Sequence, residues 1–286
     1  MELTGFFLFC RAGFEADCAQ DFSDQASAWR GCVSEQVSLG RGYVMEKTRL
    51  LSDFPTRKQF DFSKLMFTRQ WFAIHSEYRE LARGDRLTPI AERLRKDNIK
   101  VNAVHLCVPD HADFAHLLPL IRGLRKAAEA QFAVGKFPHA KPLDLHICFL
   151  TSDSAVVGLA DPNNQALWPM GIPRLKRLRS APSRSAAKIE EAFLSLMTAD
   201  ERLKYLRAGL RVVDLGAAPG GWSWYMATQG LQVTAVDKAK LRPAAMETQR
   251  VAHYQVDGFK YQPAKPVDWL LCDMLEQSRR ISDLVI

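Results

Sequence analysis

The chain reads Asp214-Leu215-Gly216-Ala217-Ala218-Pro219-Gly220-Gly221-Trp222 after a short β-branched run at residues 210–213 and before residues 223–227, which can wind as a helix. A strand, a glycine turn and a helix in this order are the elements of a nucleotide-type cofactor loop. The glycines let the backbone approach a ligand closely, and the start of the helix presents unpaired N–H groups. A tight strand-to-helix turn without a ligand is the alternative that the glycines alone leave open.

The spacing of the glycines and the acid before them favour S-adenosylmethionine over a dinucleotide. A dinucleotide fingerprint requires Gly-x-Gly-x-x-Gly, whereas this loop has glycines at 216, 220 and 221 and an acid, Asp214, two positions before the first. A carboxylate at that position repels a pyrophosphate and suits the sulfonium and amino groups of S-adenosylmethionine. A dinucleotide oxidoreductase is therefore disfavoured.

Acidic residues also follow three further predicted strands. Residues 232–236 lead to Asp237, a third apolar stretch leads to Asp257, and residues 267–272 lead to Asp273. We expect these three and Asp214 to converge on one crevice at the carboxyl edge of a parallel sheet. Asp237 lies about 20 residues after the first glycine, the distance at which a carboxylate binds ribose hydroxyls. Asp257 is placed to hold an adenine amino group. A turn or cap role is the alternative for any one of them.

The composition is that of an ordinary soluble protein with a basic excess. The formal net charge is +7 and the pI about 9.1, which favours a polyanionic partner. Residues 174–211 contain ten basic and four acidic residues, a net +6, although such a run can also be a solvated face. The six cysteines lack zinc spacing, and the chain contains neither a signal peptide nor a membrane-length apolar run, so we predict a cytoplasmic protein without metal.

The first half of the chain alternates short strands and helices. We predict strands at 6–10, 42–45, 65–72 and 101–108, a hairpin of 145–150 with 154–159, and helices at 13–22, 90–94 and 115–130. Residues 161–181 form a linker of Pro, Asn, Gly and Arg with aromatic side chains, a composition suited to RNA. The predicted RNA-binding residues are Arg174, Lys176, Arg177, Arg179 and Arg184. Ser185 is predicted to cap a helix at 186–197.

Several segments together resemble one family. They are Arg11-Ala12-Gly13-Phe14-Glu15, Arg69-Gln70-Trp71-Phe72, Leu87-Thr88-Pro89-Ile90, Met170-Gly171-Ile172-Pro173-Arg174-Leu175-Lys176, Pro182-Ser183-Arg184-Ser185, the glycine loop, Asp257-Gly258-Phe259-Lys260 and Cys272-Asp273-Met274. The chain is similar to the ribosomal large-subunit RNA methyltransferase M family from its first strand to its last residue.

The resemblance implies a fold, an activity and a partner. It implies an α+β THUMP-type, ferredoxin-like RNA-binding region over 1–160, the basic linker over 161–181, and a Rossmann-like methyltransferase domain of α/β class over 182–286. The family methylates the ribose 2′-hydroxyl of one cytidine in the peptidyl-transferase loop of 23S rRNA. We accordingly expect S-adenosylmethionine as cofactor, 23S rRNA before full ribosome assembly as partner, and a monomer.

The resemblance also assigns roles to individual residues. The cofactor contacts fall on Ser185, Ala218, Pro219, Gly220, Gly221, Asp237, Asp257 and Asp273. Of a Lys-Asp-Lys-Glu catalytic set, Lys188 is the first lysine and Asp273 the aspartate. The ribose hydroxyl must lose its proton as it attacks, and a lysine acts as base only if its surroundings lower its pKa. Contact with an RNA phosphate is the alternative role for Lys188.

The family pattern continues beyond residue 286. The second lysine and the glutamate of the set are absent from this chain, so we expect a domain truncated after its fourth strand that methylates poorly or not at all. Two alternatives remain: a non-catalytic RNA-binding remnant and a THUMP-linked RNA base methyltransferase. Base-amine enzymes carry an N/D-P-P-Y/F motif after the fourth strand, where this chain reads Asp273-Met274-Leu275-Glu276.

Overall fold

Two units make up the protein, Met1–Ile172 and Pro173–Ile286, which we call unit 1 and unit 2. The structure is a computed structural model that describes residues 2–26, 34–51, 54–132, 143–175 and 178–285. The domain boundaries predicted at 160 and 182 stay predictions, because the division into units falls between them.

The described residues of unit 1 form a seven-stranded sheet and three α-helices. The strands are β1 Leu3–Phe9, β2 Ser34–Leu39, β3 Tyr43–Leu51, β4 Gln70–Tyr78, β5 Val101–Cys107, β6 Leu143–Phe149 and β7 Ala155–Ala160; the helices are α1 Glu15–Ala26, α2 Thr88–Lys96 and α3 Leu118–Gln131. The strand order is β2-β3-β1-β4-β7-β6-β5. Each pair is antiparallel except β5 with β6, and β6–β7 is the predicted hairpin.

From Phe6 to Phe9, strand β1 is apolar because both of its faces are buried. Phe6 and Leu8 pack with Phe22 of α1 on one face, and Phe7 and Phe9 pack with β4 and β7 residues on the other. Successive side chains of a strand point to opposite faces, so a continuous run of large apolar residues is what a central strand covered on both sides requires.

The strand predicted at 65–72 is shorter at its amino end than expected. Strand β4 begins only at Gln70. A carboxylate oxygen of Asp21 accepts hydrogen bonds from the backbone N–H groups of Met66 (2.7 Å) and Phe67 (3.1 Å). These backbone donors are therefore satisfied by a side chain of α1 instead of by a neighbouring strand, and the apolar sequence alone does not show this.

The first part of the predicted linker lies in unit 1 and is fixed by Asn164. Its side-chain amide donates to the carbonyl of Phe60 (2.7 Å), its side-chain oxygen accepts from the N–H of Phe62 (2.9 Å), and its backbone carbonyl accepts from the indole of Trp71 (2.7 Å). Asn164 is 3% exposed. Three hydrogen bonds hold this residue, two of them buried, so its surroundings are part of the core of unit 1.

Gly171 is expected to tolerate no side chain. Its φ is +65°, and a Cβ there would lie 1.8 Å from the backbone carbonyl oxygen of Arg69. Gly171→Ala should therefore lower the free energy of unfolding of unit 1 by more than about 2 kcal/mol, since both left-handed strain and a backbone clash arise. Urea unfolding followed by circular dichroism measures the loss. Gly84→Ala, with no atom within 4 Å of the added Cβ, is the control, and equal stability of the two variants would contradict the expectation.

The described residues of unit 2 form a four-stranded parallel sheet and five α-helices. The strands are β8 Arg211–Leu215, β9 Gln232–Val236, β10 Val251–Tyr254 and β11 Trp269–Cys272; the helices are α4 Ser185–Leu196, α5 Ala199–Tyr205, α6 Gly221–Thr228, α7 Pro243–Met246 and α8 Ser278–Val285. The strand order is β10-β9-β8-β11, and every pairing is parallel. The four strands predicted in this half of the chain are confirmed.

Apolar side chains cover both faces of this sheet. Val212 and Val233 pack with Phe193 of α4 in one cluster, and Val213 and Leu284 of α8 belong to a second cluster. Burial on both faces is the usual state of a parallel sheet, whose crossover helices lie above and below it.

Ser185 does not cap helix α4, contrary to the prediction. It is the first residue of the helix, preceded by Arg184 in a helical backbone conformation without a side-chain cap. The hydroxyl oxygen of Ser183 accepts the N–H of Ser185 instead (3.3 Å). A serine two positions earlier satisfies this donor, and the sequence Ser183-Arg184-Ser185 does not show which serine does so.

Candidate active site at the carboxyl edge of the parallel sheet

The ends of three neighbouring strands lie level with one another. Leu215 of β8 pairs with Val236 of β9 and with Cys272 of β11. Gly216, Asp237 and Asp273 are the next residues of the three segments, so they stand side by side along the carboxyl edge. They line a cavity of about 520 Å³. The charged residues of its lining are Asp237, Lys238, Asp257, Asp273, Glu276 and Arg280.

The glycine loop curves from β8 into α6 through two left-handed residues. Gly216 has φ +77°, and a Cβ there would lie 2.7 Å from the Met274 side chain. Gly220 has φ +102° and is the N-cap of α6 without a side-chain cap. The first N–H groups of α6 have no partner within the helix itself, a favourable position for polar acceptor atoms.

Asp237 ties the loop to the end of β9. One carboxylate oxygen accepts the N–H of Ala218 (2.9 Å) and the other accepts the N–H of Ala239 (2.8 Å). Each carboxylate oxygen has a second lone pair. Asp237 can thus hold the loop and still accept hydrogen bonds from the hydroxyl groups of a ligand.

Asp257 is also engaged at both oxygens. One accepts the N–H of Phe259 (3.0 Å), and the other lies 2.8 Å from the ammonium nitrogen of Lys238. The hydrogen bond from Lys238 and that from Phe259 lower the pKa of Asp257 below its usual value. Asp257 is therefore an anion that already has a cationic partner at the cavity.

Asp214 lies beneath the loop and not in the cavity lining, which differs from the expected convergence of four aspartates. It is 1% exposed, and the Ser223 hydroxyl donates to one of its oxygens (2.6 Å). Its other oxygen is buried without a hydrogen-bond partner among the described residues. Burial, with the charges of Asp273 and Asp237 adding to it, raises the pKa of Asp214 to about 7 despite the bond from Ser223.

The beginning of α4 lies against the loop. The indole of Trp222 donates to the carbonyl of Ser185 (3.0 Å), and a Cβ added to Gly221 would lie 2.2 Å from the Ser185 hydroxyl. Lys188 follows Ser185 by three residues, about one helical turn, and its side chain is exposed. The structure therefore brings Ser185 to Gly221, while Lys188 lies outside the cavity lining.

The predicted RNA-binding residues are described in part. Arg174, Arg179 and Arg184 are exposed, whereas Lys176 and Arg177 lie outside the described residues. A second cavity of unit 2, about 640 Å³, is lined by Arg179, Arg184 and Arg242 together with apolar side chains. Arg242 donates to the carbonyl of Pro182 (2.6 Å).

Sequence reasoning missed three cations: Arg242, Lys238 and Arg280. Arg280 lies 4.6 Å from the centre of the Phe259 ring and pairs with Glu276. Arg242 is far in sequence from Pro182, and Arg280 is far from Phe259. Lys238 follows Asp237 directly, and this adjacency is the one signal that the sequence offered.

In the part of the chain that is described, no group of three or more His, Cys, Asp or Glu residues could hold a metal ion. Cys10, Cys18, Cys107, Cys148 and Cys272 are free thiols, and Cys32 lies outside the described residues. None of the described helices is both long and apolar enough to cross a membrane.

The parallel sheet, the glycine loop and the acidic crevice define a class of enzyme. The FtsJ-like methyltransferase family matches residues 182–284, and the RlmM ferredoxin-like domain matches residues 3–72. The predicted fold class, a methyltransferase fold preceded by a ferredoxin-like region, is confirmed. Residues 182–284 are thus similar to the FtsJ-like methyltransferases, and a methyl donor is implied.

Full-length relatives narrow the class to one family. Three proteins with the name ribosomal RNA large subunit methyltransferase M align with nearly the whole chain. That of Xanthomonas campestris pv. campestris (strain B100) is 38% identical over 98% of this chain and 81% of its own length; that of Xylella fastidiosa (strain 9a5c) is 36% identical over the same shares; that of Psychromonas ingrahamii is 36% identical over 99% and 79%. The chain belongs to the ribosomal RNA large subunit methyltransferase M family, as its sequence motifs predict.

Proposed function

We propose that the protein transfers a methyl group from S-adenosylmethionine to the ribose 2′-hydroxyl of a cytidine in the peptidyl-transferase loop of 23S rRNA. The observation that carries this proposal is the crevice itself, where Asp237, Asp257 and Asp273 line one cavity beside the glycine loop. A cationic ligand with hydroxyl and amino donors suits such a set of acceptors. The cavity volume of about 520 Å³ is within the usual range of small-molecule sites.

The buried carboxyl of Asp214 supports a cationic donor. An oxygen without a partner in a buried site costs free energy, and a positive ligand above the loop would stabilise the ionised form of Asp214. When bound, S-adenosylmethionine supplies an electrophilic methyl group on a positively charged sulfur.

Residues of the glycine loop and of the crevice would bind the methyl donor. Ala218, Pro219, Gly220 and Gly221 would hold the donor through the loop backbone. Asp237 would accept from ribose hydroxyls and Asp257 from the adenine amino group, and Ser185, against Gly221, would complete the wall. These assignments follow the family pattern onto matching positions.

Lys188 and Asp273 would act on the acceptor. A ribose hydroxyl is a weak nucleophile, so its proton must leave as the oxygen attacks. Lys188, on the helix that begins at the loop, would accept or position that proton once RNA covers its exposed side chain and removes water from it. Asp273 at the end of β11 would orient the lysine.

The exposed arginines would position the RNA. Arg174, Arg179 and Arg184, with Lys176 and Arg177, form a basic segment that suits phosphate groups. We propose 23S rRNA before full ribosome assembly as the substrate, a monomeric enzyme, and action in the cytoplasm.

The nature of the methylated atom tests the function. The protein, in excess over 23S rRNA, is incubated with donor labelled in its methyl group, and the RNA is hydrolysed in alkali. Ribose methylation blocks the neighbouring phosphodiester, so the label should appear in an alkali-resistant dinucleotide. Label in mononucleotides would overturn the proposal in favour of base methylation, and RNA binding without any transfer would favour a non-catalytic role.

A further inference from the structure

Lys238 lines the cavity and has no role in the proposed methyl transfer. Its ammonium nitrogen lies 2.8 Å from one oxygen of Asp257, whose other oxygen accepts the N–H of Phe259. The carboxylate that would receive the adenine amino group thus already accepts one hydrogen bond at each oxygen, and one of the two donors is a cation. The same pair lowers the pKa of Asp257, so this acid is ionised and attractive to any donor.

We propose that Lys238 competes with the adenine amino group for the carboxylate of Asp257 and thereby sets the affinity of the site for adenosyl ligands. The inference rests on the proposed donor site. An adenine amino group that binds the oxygen paired with Lys238 must displace the ammonium group or share this acceptor with it, and either change weakens the ion pair of the ligand-free site.

The surroundings make Lys238 the mobile partner of this competition. Its side chain is 72% exposed, whereas that of Asp257 is 29% exposed and is held by the adjacent turn. A lysine has a flexible four-carbon chain and a strongly hydrated ammonium group, so it can return to solvent at little cost. The other cation of the cavity, Arg280, is held by Glu276 and lies over the Phe259 ring.

The expected size of the effect is modest and measurable. Exposed ion pairs contribute little to stability, so release of Lys238 should correspond to a change of about two- to fivefold in ligand affinity. The change should diminish as salt is added, because salt screens the pair in the ligand-free protein.

The experiment uses titration calorimetry on the whole chain and three ligands. S-adenosylhomocysteine carries the adenine amino group without the sulfonium charge, S-adenosylmethionine carries both, and S-inosylhomocysteine has a 6-oxo group in place of the amino group. Lys238→Gln should bind the first two ligands about two- to fivefold more tightly than the unsubstituted protein and gain nothing for the third. Lys240→Gln, a change at an exposed lysine two residues further on, should bind all three as before.

Each other outcome contradicts the inference in its own way. A gain confined to S-adenosylmethionine would mean that the charge of Lys238 acts through space and that no competition exists at Asp257. Unchanged or weaker S-adenosylhomocysteine binding by Lys238→Gln would make Lys238 a bystander or a ligand contact. Failure of the unsubstituted protein and the variants to bind any adenosyl ligand would remove the donor site and this inference together. Binding without RNA methylation would refute the proposed reaction only.

Discussion

Lys188→Met is expected to lower the single-turnover rate of methyl transfer at saturating RNA by at least about a hundredfold. The proposed proton acceptor is lost, and methionine preserves the length and apolar part of the side chain. Donor affinity should stay the same, because Lys188 is exposed and does not line the cavity. The rate is measured with enzyme in excess over 23S rRNA and labelled donor, and donor affinity is measured by calorimetry.

Two further variants separate proton transfer from phosphate contact. Lys188→Arg keeps the positive charge but has a side chain that stays protonated in proteins, so it should restore RNA affinity and not the rate. Lys265→Met, a change at an exposed lysine between β10 and β11, is the control for loss of one charge. If Lys188→Met recovered the full rate at higher RNA concentration, Lys188 would contact an RNA phosphate and would not accept the proton.

Asp214→Asn is expected to stabilise the ligand-free protein against unfolding by up to about 4 kcal/mol at about pH 8. The pKa of Asp214 in the folded protein is about 7, compared with an ordinary value of 3.8. The folded state therefore binds the proton more tightly than the unfolded state. Below about pH 4 the carboxyl is protonated in both states and does not change the free energy of unfolding. Between about pH 4 and pH 7 the unfolded state loses the proton first, so the free energy of unfolding falls as the pH rises. Above pH 7 the loss is complete. One pKa unit, a tenfold difference in proton affinity, corresponds to about 1.4 kcal/mol, so the shift from 3.8 to about 7 corresponds to about 4 kcal/mol.

Asparagine removes this dependence because it stays neutral and still accepts the hydrogen bond from Ser223. Hydrogen exchange of the amides in β8 and β9, at about pH 5 and pH 8, reports the stability of unit 2 apart from unit 1. The gain should be small at the lower pH and large at the higher one. Asp283→Asn, at an exposed position of α8, is the matched control. An equal loss of stability at both pH values in Asp214→Asn would mean that Asp214 is ionised in the folded protein.

The parallel sheet could be predicted because its signals are local. Each strand of unit 2 is a short apolar run that ends at a turn residue, and the loop at Gly216 and Gly220 requires glycine for its left-handed backbone. The acids after the strands could be predicted to share an edge for the same reason. The resemblance to a family added the activity, which no local pattern carries.

The parts that sequence reasoning missed depend on contacts between distant residues. The N–H groups of residues 66 and 67 bond to Asp21, some 45 residues earlier, so β4 starts later than its apolar residues indicate. Asp214 was expected to face the ligand, and the position of Ser223 on α6 decides that it points beneath the loop. The partner of Asp257 is Lys238, which follows a different strand of the sheet.

The level ends of β8, β9 and β11 have a consequence for how this site tolerates change. Adjacent strands of a sheet are about 4.8 Å apart, so the backbone itself spaces the groups at positions 216, 237 and 273 along the rim. Exchanges among apolar residues within the strands leave that spacing intact. A single deletion inside β9 would turn Asp237 to the opposite face of the sheet or withdraw it from the rim. The lengths of these three strands are therefore more tightly constrained than the identities of the residues that fill them.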